Sequence, residues 1–122
     1  QLSQAITSVL GKGVDMVLVT GGMSPDDSTV EGIRRSGAEV VFHGVPVSPG
    51  AMSVLAYAGE VPVVGIPAGL LARPRGFLDL VLPRLLAGER LGREDAGRYG
   101  HGGLCWGCAV CVFPACPFGK GS

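Results

Sequence analysis

The residues best suited to bind a ligand lie in a polar turn that follows a short apolar run. Met16 to Val19 are apolar, and Thr20-Gly21-Gly22 comes next, with Ser24 and Asp27 shortly after. A strand that ends in a glycine turn before a helix presents backbone N–H groups, a hydroxyl and the positive end of the helix dipole to an anion. In this interpretation Asp27 suits a metal ion or a polar contact beside the anion. The alternative interpretation is a tight turn with Asp27 as an ordinary helix N-cap.

A second set of reactive side chains lies near the end of the chain, where Cys105, Cys108, Cys111 and Cys116 follow the pattern C-x2-C-x2-C-x4-C-P. Thiolates at this spacing converge on one centre, so the pattern predicts a shared metal. The run resembles that of bacterial ferredoxins, with four residues before the last cysteine where that run has three. We favour a [4Fe–4S] cluster over a tetrahedral Zn²⁺, because zinc sites more often use two separated C-x2-C pairs. Disulfides, which require an oxidising compartment, and free thiols are the alternatives.

The elements that must position these residues follow an α/β pattern in the first half of the chain. Leu2 to Leu10 has the apolar spacing of a helix, and Asp15 to Thr20 is typical of a strand buried on both faces. Ser28 and Glu31 fit a capping box for a second helix that ends before Gly37. Glu39 to His43 then predicts a second strand, parallel to the first in a βαβ unit.

The second half predicts a hairpin and one more helix. Met52 to Ala58 and Val61 to Ile66 flank Gly59-Glu60, a two-residue hairpin connection. Phe77 to Ala87 is an apolar helix in which Pro83 predicts a kink or a break. The predicted fold is α/β, with three layers, a mainly parallel sheet with helices on both faces, a hairpin at one edge and a small cysteine-rich tail.

Composition excludes several classes of function. Ten basic and ten acidic residues cancel and form no basic block, so nucleic acid is not expected as a partner. No apolar run approaches the ~20 residues that span a bilayer, so no membrane partner is expected either. The composition changes at residue 93, where charged residues are followed by a glycine-rich segment that holds all four cysteines. This change predicts an α/β domain over residues 1–92 and a metal-binding tail over residues 93–122. The sequence begins at Gln1 directly with a predicted helix, and we expect a strand and a helix of the domain to precede this residue.

The first 88 residues resemble the molybdopterin-binding domain of molybdenum cofactor biosynthesis proteins, the gephyrin-type domains. A strand, Thr20-Gly21-Gly22, a serine and an aspartate before a helix are similar to that family's first motif. Ser48-Pro49-Gly50 resembles its PG loop, and Gly65-Ile66-Pro67 stands where the family carries Pro-Gly-Asn. The resemblance implies molybdopterin as the ligand. It also implies the binding residues Thr20, Gly21, Gly22, Ser24, Asp27, Pro49, Gly50 and Pro67.

Two loops depart from the family pattern. Pro67-Ala68-Gly69 lacks the asparagine, and Pro49-Gly50-Ala51 lacks the lysine of the larger branch. These departures favour cofactor binding over adenylyl transfer or molybdenum insertion, and no catalytic residue is assigned. The resemblance implies a cytoplasmic, homo-oligomeric protein that binds molybdopterin or molybdenum cofactor for biosynthesis, storage or delivery to a molybdoenzyme. The alternatives are an iron–sulfur electron-transfer module or a zinc-stabilised interaction module on an α/β scaffold.

Overall fold

The computed structural model describes residues 1–24 and 26–121. Their helices and strands are α1 (Leu2–Leu10), β1 (Val17–Gly21), α2 (Thr29–Arg35), β2 (Glu39–His43), β3 (Val54–Ala58), β4 (Val61–Pro67), a 3₁₀ helix (Ala68–Ala72), α3 (Phe77–Leu86) and α4 (Arg93–Arg98). The predicted first helix, both predicted hairpin strands and the predicted β2 are confirmed. The fold is a mixed α/β structure built on one open sheet.

The sheet has the strand order β1-β4-β3-β2. β1 pairs with β4 in parallel, whereas β4 with β3 and β3 with β2 are antiparallel. The prediction of a mainly parallel sheet with an edge hairpin was therefore wrong. β1 and β2 do run in the same direction, but the β3–β4 hairpin lies between them at the centre of the sheet. A two-residue turn forces direct antiparallel pairing of its strands, so the inserted hairpin makes most of the sheet antiparallel.

One face of the sheet packs against the first two helices. Ile6 of α1 and Val30 and Ile33 of α2 form a buried cluster with Val17 and Val19 of β1. These strand residues are two apart, because successive side chains of a strand point to opposite faces. The amphipathic spacing that predicts both helices thus matches the apolar surface that they cover.

The other face packs against the later part of the chain. Leu55 of β3 and Ile66 of β4 lie there with apolar side chains from α3, α4 and the residues between and after these helices, namely Phe77, Val81, Leu85, Leu91, Ala96, Tyr99 and Phe118. The ring of Phe77 contacts those of Phe42 and Tyr99 edge to face, with centroids 6.0 and 5.9 Å apart. The proposed boundary at residue 92 stays a prediction, since Tyr99 and Phe118 share this cluster with the sheet.

The prediction that β1 is buried on both faces was wrong. Val17 and Val19 are buried, whereas Leu18 between them is 48% exposed. β1 lies at the edge of the sheet, and the cluster that covers the second face includes no residue of β1. The position of β1 at the edge of the sheet determines the exposure of Leu18, and an apolar run does not encode that position.

Two local predictions also differ from the structure. Ser28 is the N-cap residue of α2, but its side chain makes no capping hydrogen bond, so the predicted capping box does not form. α3 continues through Pro83, so the predicted break does not occur, while the predicted kink stays a prediction. A proline inside a helix removes only one backbone donor, and the Ala87 N–H still donates to the Pro83 carbonyl at 3.0 Å. In the described residues, no helix is both long and apolar enough to cross a membrane.

Candidate functional site

Three loops leave the sheet at one edge, which we call the loop edge. In the strand register, Gly21 at the end of β1 lies beside Pro67 at the end of β4, and His43 at the end of β2 lies beside Val54 at the start of β3. The loops that start here are residues 22–28, 44–53 and 68–76. The residues predicted to bind the ligand therefore all lie at the loop edge or in its loops: Thr20, Gly21, Gly22, Ser24, Asp27, Pro49, Gly50 and Pro67.

Ser24 and Asp27 form a closed hydrogen-bonded pair in the first loop. The Ser24 backbone N–H and hydroxyl donate to Asp27 Oδ2 at 3.2 and 2.6 Å, and the Asp27 N–H donates to the Ser24 carbonyl at 3.0 Å. Asp27 is therefore not the N-cap of α2, which is Ser28. Both side chains are exposed, so the carboxylate shapes this turn while staying accessible to a ligand.

Gly22 is required for this arrangement. A Cβ at residue 22 would lie 2.6 Å from Asp27 Oδ2 and 2.7 Å from Asp27 Cγ, closer than Cβ atoms approach other heavy atoms. The second glycine of Thr20-Gly21-Gly22 thus leaves room for the Asp27 carboxylate. The pattern predicted a glycine turn here, but not the side chain that occupies the space.

Met23 and His43, which were not among the predicted binding residues, fix the first loop to the sheet. The Met23 side chain is buried against Gly65, where a Cβ would lie 2.9 Å from the Met23 sulfur. The Met23 carbonyl is 2.7 Å from His43 Nε2, so the imidazole donates a hydrogen bond to it. His43 thus holds the first loop to the end of β2.

The PG loop is held by α3 and by the start of β3. The Phe77 N–H donates to the Pro49 carbonyl at 3.0 Å, and the Ser53 N–H donates to the Gly50 carbonyl at 2.9 Å. Ser53 is buried, and its hydroxyl has no hydrogen-bond partner within the described part of the chain. A buried hydroxyl beside a predicted binding loop is a feature that sequence reasoning missed, because burial depends on how distant segments pack.

A groove of about 370 Å³ adjoins the loop edge along β2. Its lining includes His43 together with Arg34 of α2 and Arg93 of α4. This volume falls in the range of small-molecule sites. His43 lines this groove and also contacts the first loop through the Met23 carbonyl.

The four cysteines line one small cavity, of about 70 Å³, with Phe113 and Phe118 in its walls. Cys105 and Cys116 are half-buried, whereas Cys108 and Cys111 are exposed, and all four are free thiols. Among residues 1–24 and 26–121, no three His, Cys, Asp or Glu side chains are gathered around a single metal-ion position. The predicted metal ligands thus share a cavity without converging on one ion. Trp106 also lines the cavity but is 78% exposed.

A network around Arg84 holds α4 to α3. The guanidinium donates to Glu89 Oε1 at 3.0 Å, to the Tyr99 hydroxyl at 2.9 Å and to Asp95 Oδ1 at 3.4 Å. The hydrogen bonds with Glu89 and Tyr99 raise the pKa of Arg84 further above its ordinary value. The Gly92 N–H, which donates to Asp95 Oδ2 at 2.8 Å, lowers the pKa of Asp95, and the Arg84 charge lowers it further. This network stabilises the fold and lies apart from the first loop.

The model of one protein family, described as "Probable molybdopterin binding domain", matches residues 1–87 of the chain. No curated protein matches the chain. The matched residues contain all strands of the sheet and the three loops of the loop edge. The family resemblance predicted from the motifs is thereby confirmed, and the cysteines lie beyond the matched residues.

Proposed function

The chain belongs to the molybdopterin-binding domain family, and we propose that it binds molybdopterin or the molybdenum cofactor at the loop edge. Binding there would serve biosynthesis of the cofactor, its storage or its delivery to a molybdoenzyme. The observation that supports the site is the departure of three loops, each carrying residues predicted to bind, from one edge of the sheet. Ligands of open α/β sheets bind where strand ends and their loops meet in this way.

The hydrogen bonds of the first loop suggest how the ligand is oriented. The Ser24 hydroxyl already donates its proton to Asp27, so it is better suited to accept a hydrogen bond than to donate one to a phosphate. The Asp27 carboxylate repels a phosphate and attracts donors. We therefore assign the Ser24–Asp27 pair to the N–H groups of the pterin ring, in place of the phosphate contact expected from the sequence.

The phosphate end of the ligand then needs positive charge close by. We assign this role to the groove along β2, which carries Arg34 and Arg93 and shares His43 with the first loop. Arginine binds phosphate oxygens with two parallel N–H donors. This orientation predicts that Arg93→Gln weakens binding at low salt and that the difference from the unaltered chain shrinks at high salt.

An anaerobic titration of molybdopterin into the chain tests the proposal. Asp27→Ala removes the acceptor of the pair, and we expect a loss of affinity of about tenfold, equivalent to ~1.4 kcal/mol. Gly11→Ala is the matched control, because Gly11 has helical backbone angles at the end of α1 and a Cβ there would lie 3.4 Å from its nearest contact, the Ser8 carbonyl oxygen. Equal affinity of the Asp27→Ala, Gly11→Ala and unaltered chains would overturn the assignment of the site.

The alternative functions, an electron-transfer module or a zinc-stabilised interaction module, depend on the four cysteines. A folded chain that binds metal and shows no saturable molybdopterin binding would favour them. Binding without turnover would support a carrier, whereas adenylyl transfer or molybdenum insertion by the chain would make it an enzyme. Assembly into a homo-oligomer stays a prediction that sedimentation of the full chain tests.

A further inference from the structure

We propose that Cys105, Cys108, Cys111 and Cys116 bind a [4Fe–4S] cluster, with Arg75 as the cation beside it. This site goes beyond molybdopterin binding and does not depend on it. The four cysteines lie outside the residues matched by the family model, whereas Arg75 lies within them.

The cysteine-bearing segment, residues 105–118, is a loop fixed at both ends. At its start, the Cys105 N–H donates to the Ser48 carbonyl at 2.8 Å, and the Ser48 N–H donates to the Gly103 carbonyl at 2.7 Å. At its end, the Gly119 N–H donates to the Gly102 carbonyl at 2.8 Å. A Cβ at Gly103 would overlap the Pro46 carbonyl oxygen, so the first end packs directly on the neighbouring backbone.

The interior of this loop is a cavity suited to an inorganic group. All four thiols line it, and its remaining walls include Phe113 and Phe118, of which Phe118 is 3% exposed. Four free thiols in one apolar cavity form the donor set of a thiolate metal centre. Aromatic walls exclude water from such a centre and tune its reduction potential.

The size of the cavity favours a cluster over a single zinc ion. With Zn–S bonds of about 2.3 Å, four sulfurs around zinc lie about 3.8 Å apart and leave no space between them. Here all four thiols line a cavity of about 70 Å³, which leaves space between them. A [4Fe–4S] cluster fills the space between four cysteines with iron and sulfide, so it fits this arrangement better.

Arg75 supplies the positive charge that such a cluster needs. Its guanidinium carbon lies 5.3 Å from the centroid of the Phe113 ring, and its side chain lines the cavity. Arg75 Nε is buried and has no hydrogen-bond partner in the described residues. A buried N–H without a partner is costly unless a ligand accepts from it, and cluster sulfurs accept such bonds. Four thiolates around a 2+ cluster carry a net charge of 2−, which the guanidinium offsets.

Formation of the cluster needs no added oxidant or reductant when iron is supplied in both oxidation states. Two Fe²⁺, two Fe³⁺ and four sulfide ions give a cluster core of charge 2+, as the formal charges require. Each cysteine loses its proton when it forms an Fe–S bond, so four protons are released per chain.

Anaerobic reconstitution of the full chain with ferrous and ferric iron and sulfide tests the site. We expect about four iron and four sulfide per chain, with thiolate-to-iron absorption in the visible region. Cys108→Ser and Cys111→Ser should each lower cluster content several-fold; both positions are exposed, so the fold should tolerate the change. Val110→Ser is the matched control, because Val110 lies between these cysteines and is 77% exposed.

Two outcomes would overturn the proposal. One is a single zinc per chain that iron and sulfide fail to replace, and the other is iron content that is unchanged in both cysteine variants. Circular dichroism of each variant shows whether the fold is intact. If a variant does not fold, the iron and sulfide content of the unaltered chain decides the question alone.

Arg75 has a test of its own, because loss of a nearby positive charge makes a cluster harder to reduce. Arg75→Met should lower the midpoint potential and keep the iron content, whereas Arg75→Lys should restore part of the potential. A potential that is equal in the Met variant and the unaltered chain would remove Arg75 from the site. The readout is a potential, so a merely structural role of Arg75 would not produce the Lys rescue.

Discussion

Replacing Gly22 by alanine tests most directly how the first loop is built. The new Cβ would lie 2.6 Å from Asp27 Oδ2, and contacts below 3.0 Å essentially never occur for real Cβ atoms. The carboxylate must therefore move by nearly 1 Å to reach ordinary contact distance, since non-bonded atoms prefer roughly 3.5 Å. That movement breaks the 2.6 Å hydrogen bond from the Ser24 hydroxyl.

The expected cost differs between folding and binding. Ser24 and Asp27 are exposed, so losing their hydrogen bond should lower the free energy of unfolding by only about 0.5–1 kcal/mol. Binding depends on the position of the carboxylate, and we expect molybdopterin affinity to fall about tenfold, or ~1.4 kcal/mol. Chemical denaturation measures the first quantity and anaerobic titration measures the second.

A double-mutant cycle shows whether Gly22 acts through Asp27. In an Asp27→Ala chain the atoms that clash with the new Cβ are absent, so Gly22→Ala should have little further effect on affinity. Gly11→Ala serves again as the control, because its Cβ would make only an ordinary contact at the end of α1. The reasoning is refuted if Gly22→Ala weakens binding by the same factor with and without Asp27, since the glycine would then act on the ligand directly.

Three further substitutions test the support of the site and of the fold. His43→Ala leaves the Met23 carbonyl without its imidazole donor and should lower the free energy of unfolding by about 1 kcal/mol and also weaken molybdopterin binding, as denaturation and titration measure. Gly65→Ala places a Cβ 2.9 Å from the Met23 sulfur and should cost about 1–3 kcal/mol by denaturation; an unchanged midpoint would contradict this packing. The pKa of Asp95 is lower in the folded chain than its ordinary value. The ionised carboxylate therefore stabilises the folded state at pH values above the ordinary pKa, and this contribution is lost as the pH falls through the folded pKa. The difference in unfolding free energy between the unaltered chain and Asp95→Asn should therefore be largest near neutral pH and shrink below about pH 4, and a difference independent of pH would contradict it.

Local patterns predicted the four strands and the helices α1 to α3 because the causes of these elements are local, whereas α4 and the 3₁₀ helix were not predicted. The apolar spacing of Leu2 to Leu10 is that of a helix, and Gly59-Glu60 is a two-residue turn between two strands. Both patterns can be recognised without knowing how distant segments pack. The order of the strands depends on contacts between distant segments. Exposure of Leu18 follows from β1 being an edge strand, which no run of residues around Leu18 encodes.

The candidate site divides in the same way. Thr20-Gly21-Gly22 was predicted as a turn and as part of a family motif, and the family is confirmed. The position of Asp27 against Gly22, and of Met23 against Gly65, arises only when the loop folds back onto the sheet. Arg75 could not be found from the sequence, because it meets the cysteines through packing between loops some 30 residues apart.

Ser48 belongs to two loops at once, and this has a thermodynamic consequence. Its carbonyl accepts from Cys105 and its N–H donates to Gly103, while Pro49 and Gly50 follow it directly in the PG loop. Whatever orders the cysteine loop therefore also restricts the residues beside a proposed cofactor contact. Linkage makes such an effect reciprocal: the factor by which one occupant changes the affinity for the other is the same in both directions. A single coupling free energy therefore describes the effect of the cysteine-loop occupant on cofactor affinity and the reverse effect, and it can be measured by titrating either ligand.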